Sequence, residues 1–102
     1  MSVLQSTQAD PARPQGGIVI SGGASGMGLA LARRLVGQAV PVALFDVASG
    51  QLEAAAAELA SGPGPVFTYC ADTAEEAEVE AAMAEAETAM GGLAGAVAAA
   101  GV

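Results

Sequence analysis

The sequence predicts an α/β protein with a doubly wound parallel sheet and the element order β-α-β-α-β-α-β. Short apolar runs alternate with longer segments of helical character along the whole chain. A glycine-rich turn at residues 21–28 separates the first apolar run from the first helix. The second apolar run has hydrophobic residues at consecutive positions, as expected for a central strand that is covered on both faces. Together these observations predict a Rossmann-type fold.

Four strands are predicted, at residues 17–21, 41–46, 66–70 and 93–102. The third is rich in β-branched and aromatic residues, which favour strands. In open α/β sheets, ligands bind beyond the carboxyl ends of the strands, near the point where the strand order reverses. We therefore expect the functional residues at the carboxyl ends of the strands.

The first helix is predicted over residues 26–38, with Met27, Leu31 and Leu35 on its buried face. Ser49 is the expected N-cap of the second helix. The predicted buried face of that helix holds Leu52, Ala56 and Leu59.

The third helix begins near Thr73 and Glu76, which have the spacing of a capping box. Its predicted apolar stripe is Val79, Met83, Ala86 and Met90. The glutamates between these positions are interpreted as a solvated helix face rather than a metal site. Two consecutive glycines, Gly91 and Gly92, are expected to end the helix.

Length and charge limit the classes of protein and partner. A chain of 102 residues forms one small domain or part of a larger one. The net charge of −8 argues against nucleic acid and anionic membranes as partners, because both are bound by basic surfaces. The polar residues 1–15 are predicted to be a mobile tail without a signal sequence. No apolar run has the length of a membrane span, so we expect a cytoplasmic protein.

Several kinds of catalytic site are excluded by residue counts. The chain has no histidine and one cysteine, which rules out an intrachain disulfide, a Cys/His zinc site and a His-dependent nucleophile. Cys70 ends an apolar run, so we expect a buried, inert thiol. No metal or catalytic residue is predicted.

The glycine turn has the spacing Gly-x-x-x-Gly-x-Gly, with glycines at positions 22, 26 and 28. Glycine removes Cβ atoms where a chain turns, where a pyrophosphate lies on the backbone and where a helix packs on a strand. The N-terminus of the following helix offers free N–H groups to an anion. The predicted cofactor-binding residues of this turn are Gly22, Ser25, Gly26, Met27 and Gly28.

Two aspartates follow predicted strands. Asp46 ends the second strand, 18 residues after Gly28, where a carboxylate can accept hydrogen bonds from both hydroxyls of an adenosine ribose. It would repel a 2′-phosphate, and no Lys or Arg stands nearby, so NAD is predicted in preference to NADP. Asp72 is predicted to accept a bond from the adenine amino group, with the Thr73 N–H beside it. Each acid has a structural alternative at a helix N-terminus.

These motifs resemble the N-terminal part of the short-chain dehydrogenase/reductase family. Residues 21–28, Ser-Gly-Gly-Ala-Ser-Gly-Met-Gly, are similar to its Thr-Gly-x-x-x-Gly-x-Gly cofactor motif. Asp46 is similar to its NAD-selecting acid, and residues 70–73 to its adenine contact. Residues 97–101 lie where the family has Asn-Asn-Ala-Gly, but alanines replace both asparagines. Within the family, residues 17–45 are most similar to the 3-hydroxyacyl-CoA dehydrogenase type 2 group.

The resemblance implies an oxidoreductase that moves hydride between NAD(H) and a secondary alcohol or ketone. It implies a ribose contact through the backbone of Ala99, and a chain that is incomplete relative to the full family fold. The family's catalytic Ser and Tyr-x-x-x-Lys are missing, because the chain has no lysine and its one tyrosine, Tyr69, lies inside a predicted strand. We therefore expect residues 16–102 to bind NAD without catalysis.

Other interpretations stay open at this point. The chain could be a non-catalytic NAD-sensing module, an inactive fragment without a ligand, or a different nucleotide-binding fold such as a methyltransferase. The fourth strand would leave a sheet edge of small apolar residues, so self-association at that edge is also predicted.

Overall fold

The computed structural model describes residues 16–98, which form a parallel α/β domain. The strands are β1 (Gly17–Ser21), β2 (Val42–Asp46), β3 (Val66–Cys70) and β4 (Leu93–Ala98). The helices are α1 (Gly26–Gly37), α2 (Ser49–Leu59) and α3 (Glu76–Met90). The predicted alternation of elements is confirmed, while the predicted tail at residues 1–15 and the end of the fourth strand lie outside the described residues.

The four strands form one parallel sheet in the order β3-β2-β1-β4. In its register Ser21 is paired with Phe45 of β2 and with Ala98 of β4, and Asp46 is paired with Cys70 of β3. The chain therefore moves outward from β1 to β3 and then crosses back to the other side of β1. This reversal places the switch point between β1 and β4, as expected for the doubly wound fold.

The sheet is covered on both faces. Ile20, Val42 and Leu44 pack under α1 and α2, whereas Val19 and Phe45 pack under α3. The first four of the five residues of β2, from Val42 to Phe45, are buried, which confirms the prediction of a strand apolar on both faces. The Phe45 ring meets the Tyr69 ring edge to face at 5.6 Å between centroids, which fills the α3 side of an otherwise alanine-rich core.

The buried faces of the helices differ in part from the predicted ones. On α1 the buried residues are Gly28, Ala32 and Val36, whereas Met27 is 68% exposed. The prediction is correct in part, because Leu31 and Leu35 are partly buried and pack against the core. The centre of the buried face is shifted by one position, because the small side chains of Gly28 and Ala32 let the helix approach the sheet closely. On α2 and α3 the buried residues are Leu52, Ala55, Leu59, Ala82, Ala86 and Met90.

Two predicted helix caps are also wrong. The N-cap of α2 is Ala48, and Ser49 is already helical. The N-cap of α3 is Glu75, and neither Thr73 nor Glu76 forms a capping box. The C-terminal prediction for α3 is confirmed, because Gly91 is left-handed (φ 74°) and the N–H groups of Gly91 and Gly92 bond back into the last turn.

The described segment contains three helices. None of those between residues 16 and 98 combines the length and the apolar character needed to cross a bilayer.

Candidate functional site

The predicted site residues meet at the carboxyl ends of β1, β2 and β3. The backbone N–H of Gly22 donates to the carbonyl oxygen of Phe45 at 2.7 Å, and the N–H of Ala71 donates to the carbonyl oxygen of Asp46 at 3.0 Å. These bonds join the ends of three adjacent strands. The glycine turn, Asp46 and Asp72 therefore lie together at the carboxyl ends of the strands, as predicted.

The glycine turn is shaped by positions that accept no side chain. Gly22 has φ of 74°, a left-handed conformation that favours glycine. Gly28 is buried, and a Cβ atom there would overlap the carbonyl oxygen of Gly22. The absence of a side chain at Gly28 thus lets the first turn of α1 pack directly on the end of β1.

The N-terminus of α1 is open to solvent and carries no competing acid. Ser25 is the N-cap residue, its side chain makes no capping hydrogen bond, and the first turn contains no Asp or Glu. Ser25, Gly26 and Met27 are exposed, and apart from the adjacent backbone nothing lies within 4 Å of the place where a Cβ of Gly26 would stand. Free N–H groups at the positive end of the helix dipole can bind an anion at this point.

Asp46 links the glycine turn to the start of α2. Its Oδ2 accepts a hydrogen bond from the N–H of Ala24 at 3.3 Å, and its Oδ1 accepts one from the N–H of Ala48 at 3.2 Å. The residue is partly buried, so part of its surface is accessible to solvent. An ionised carboxylate has about four acceptor positions, so these two bonds leave capacity for ligand hydroxyls.

Asp72 and Thr73 lie in an exposed turn before α3. Asp72 Oδ1 accepts from the N–H of Ala74 at 2.9 Å, and the N–H of Asp72 donates to Glu78 Oε1 at 2.9 Å. The aspartate stabilises the turn and does not cap the helix, which begins four residues later. Its second oxygen remains available as an acceptor.

Cys70 does not fit the prediction of a buried thiol. The residue is exposed, and its Sγ lies 3.5 Å from the carbonyl oxygen of Val47. The reason is its position, because β3 is an edge strand of the described sheet and alternate residues of that strand face outward. Its neighbour Tyr69 is half-buried, and this burial, together with the negative charge of Glu85, raises the pKa of the phenol.

Part of the site was missed by reasoning from the sequence. The N–H groups of Ala24 and Ala48 were not identified as partners of Asp46. The bond to Ala48 has a local signal, since Asp often bonds the N–H two residues ahead. The bond to Ala24 spans 22 residues and has no local signal. The predicted contact at Ala99 lies outside the described residues.

The sequence is similar to curated dehydrogenases. It is 38% identical to 2-(S)-hydroxypropyl-CoM dehydrogenase 3 of Xanthobacter autotrophicus over 83% of this chain and 33% of that protein. It is 42% identical to 3-hydroxyacyl-CoA dehydrogenase type-2 of Rattus norvegicus over 82% of this chain and 31% of that protein. The chain therefore spans about a third of the length of these relatives.

Structural similarity leads to the same group of proteins. The crystal structure of 3-hydroxyacyl-CoA dehydrogenase type-2 from Mycobacterium avium matches with a TM-score of 0.71 and 31% identity, over 84% of this chain and 32% of that one. The family model described as short chain dehydrogenase matches residues 17–102. Members of that family bind nicotinamide cofactors. The chain belongs to the short-chain dehydrogenase family of oxidoreductases.

Proposed function

We propose that this chain binds NAD and forms the N-terminal portion of the NAD-binding domain of a short-chain dehydrogenase. The observation that carries the proposal is the position of Asp46, whose carboxylate lies at the end of β2 and is hydrogen-bonded to the glycine turn. A ligand that places a phosphate group at α1 and a ribose at Asp46 uses both features at once. The adenosine half of a dinucleotide has this arrangement of groups.

The charges at this edge favour NAD over NADP. A 2′-phosphate would stand beside the Asp46 carboxylate and be repelled by it. Among the described residues the basic side chains are Arg33 and Arg34, which lie in the second half of α1, and Arg33 is paired with Glu58. Neither arginine lies beside the glycine turn and Asp46, so within residues 16–98 no cation offsets this repulsion.

Each proposed residue has a specific task. The exposed N–H groups of Gly26 and Met27 and the Ser25 hydroxyl would hold the pyrophosphate, while Gly22 and Gly28 shape the turn. Asp46 would accept from the ribose hydroxyls, Asp72 from the adenine amino group, and Thr73 and Ala99 would contribute backbone contacts. When bound, NAD supplies a hydride acceptor.

No catalytic residue is assigned to this chain. The sequence contains no lysine, and its one tyrosine packs against Phe45 within the sheet. Hydride transfer between NAD(H) and an alcohol or ketone is proposed for a longer protein that includes this segment. The acid–base group for that reaction would come from another part of the longer protein.

The test is titration of the chain with NAD and NADP, followed by calorimetry and thermal melting. At a ligand concentration of ten times Kd, NAD should stabilise the fold by about 1.4 kcal/mol, with a smaller effect from NADP. Asp46→Asn should weaken NAD binding by roughly 1.5–3 kcal/mol, because hydrogen bonds to a charged group are lost. The Asp46→Asn variant should also show a smaller difference in affinity between NAD and NADP.

The matched control is Glu80→Gln, which removes an exposed carboxylate from α3 on the opposite face of the sheet. This variant should bind NAD like the parent. A melting temperature that does not change at millimolar NAD would refute the proposal and favour a chain without a nucleotide ligand.

A further inference from the structure

The N–H groups of the glycine turn point back toward the end of β2. Those of Gly22 and Gly23 donate to the carbonyl oxygen of Phe45, at 2.7 and 3.3 Å. The next one, of Ala24, donates to the side chain of Asp46 at 3.3 Å. Three consecutive N–H groups are thus held by two adjacent residues of one strand.

These bonds differ in what maintains them. The two bonds to Phe45 are made by backbone and do not depend on the side chain at position 45. The bond from Ala24 depends on a side chain, so a substitution at position 46 can remove it. Ala24 is 5% exposed, and its N–H would be poorly served by water if Asp46 did not accept from it.

The same carboxylate also holds the start of α2. Its other oxygen accepts from the N–H of Ala48 at 3.2 Å. Asp46 therefore fixes the distance between the glycine turn, which precedes α1, and the loop that precedes α2. Each oxygen makes one backbone bond and keeps one acceptor position free.

We infer that Asp46 is a positioning residue for the glycine turn, in addition to its proposed role as the acceptor for the ribose hydroxyls. The inference rests on the proposed function for its ligand, but the hydrogen bonds exist without one. In this arrangement the carboxylate braces the turn before a nucleotide arrives. Because the turn is already ordered, binding of the phosphate groups loses less conformational entropy, which favours a higher affinity.

This role predicts an effect on ligands that have no ribose hydroxyls. If Asp46 contacts only the hydroxyls, its substitution leaves the affinity for 2′,3′-dideoxy-ADP unchanged. If it also braces the turn, the same substitution weakens binding of that nucleotide. Asn is the informative replacement, because it keeps the shape of Asp but has one acceptor oxygen, so it cannot hold both N–H groups.

The experiment combines amide hydrogen exchange with nucleotide titration. In the unliganded parent chain, the Ala24 amide should exchange slowly. In Asp46→Asn its exchange, or that of Ala48, should accelerate about tenfold, as expected for the loss of one charge-assisted hydrogen bond. The amides of Val42 and Leu44 report on the sheet and should keep their rates. The Kd for 2′,3′-dideoxy-ADP should rise severalfold in the variant, and the Kd for ADP should rise further.

Glu53→Gln on the exposed surface of α2 is the matched control. It should change neither the exchange rates of these amides nor the affinity for either nucleotide. An unprotected Ala24 amide in the parent, or equal affinity of parent and Asp46→Asn for the dideoxy nucleotide, overturns the inference. The parent measurement needs no variant, so a variant that does not fold leaves the test intact. If the parent binds no nucleotide while the Ala24 amide is protected, the proposed function is refuted but the positioning role of Asp46 is supported.

Discussion

At the residue scale, Gly28 shows how one missing side chain determines the geometry of the site. The residue is buried in the first turn of α1, and a Cβ there would overlap backbone atoms of Gly22 and Gly23. Backbone cannot rotate away as a flexible side chain can, so any larger residue must displace the helix. The N–H groups of that helix are the ones proposed to hold a pyrophosphate. Both the stability of the fold and the affinity for the nucleotide therefore depend on the packing of Gly28 against the glycine turn.

Gly28→Ala should therefore lower the free energy of unfolding by about 1–3 kcal/mol, the usual cost of overpacking, and weaken NAD binding. Chemical denaturation and calorimetry measure the two effects. The matched control is Gly37→Ala at the other end of α1, where the added Cβ meets no atom within 4 Å apart from its chain neighbours and the helix's own backbone. It should stabilise the chain by about 0.5–1 kcal/mol, as alanine favours helix. Equal effects of the two substitutions would contradict the packing argument.

At the scale of elements, α1 and α2 lie side by side on one face of the sheet and are joined across their exposed surfaces. Arg33 of α1 and Glu58 of α2 form a hydrogen-bonded ion pair. The bond from Arg33 lowers the pKa of the Glu58 carboxyl from its ordinary value of 4.5. Both side chains are well exposed, so solvent screens the pair and its effect on stability is small.

The lowered pKa determines how this contribution depends on pH. It is fully present above the ordinary glutamate pKa and is lost as the pH falls through the lower pKa of the folded state. Glu58→Gln should therefore be slightly less stable than the parent at neutral pH and equally stable in acid. Urea denaturation across that range measures the difference, and added salt should reduce it. Glu53→Gln on the same helix should show no such trend; a difference that persists in acid would rule out the ion pair as its cause.

At the scale of the whole molecule, the described sheet ends in two unlike edge strands. At the β3 edge, Thr68 and Cys70 are exposed but Val66, Phe67 and Tyr69 are partly covered. The β4 edge has small residues, and Val97 near its end is 39% exposed. An apolar edge with unpaired N–H and C=O groups favours pairing with another chain.

We therefore predict that the 102-residue chain self-associates through β4. Val97→Lys should shift sedimentation velocity profiles toward the monomer, because a charge at the edge opposes strand pairing. Thr68→Lys places the same charge on the β3 edge and should leave association unchanged. A parent chain that stays monomeric at high concentration would refute the prediction.

The sequence alone was enough to predict the element order, the parallel sheet and the family. These depend on local signals: apolar runs of strand length, the glycine spacing at 22, 26 and 28, and an acid at the end of the second strand. Each signal lies within a few neighbouring residues, where periodicity and turn chemistry act. The location of the site at the carboxyl ends of the strands follows from the general geometry of parallel sheets.

Only the tertiary structure decided which groups contact one another. The bond between Asp46 and Ala24 joins residues 22 positions apart, and it exists because β1 and β2 are adjacent in parallel register. The buried face of α1 follows Gly28 and Ala32 rather than Met27, because close approach to the sheet outweighs side-chain hydrophobicity there. Cys70 is exposed because its strand lies at the edge of the described sheet. In each case the outcome depends on which other elements lie alongside the residue, and local sequence does not encode this.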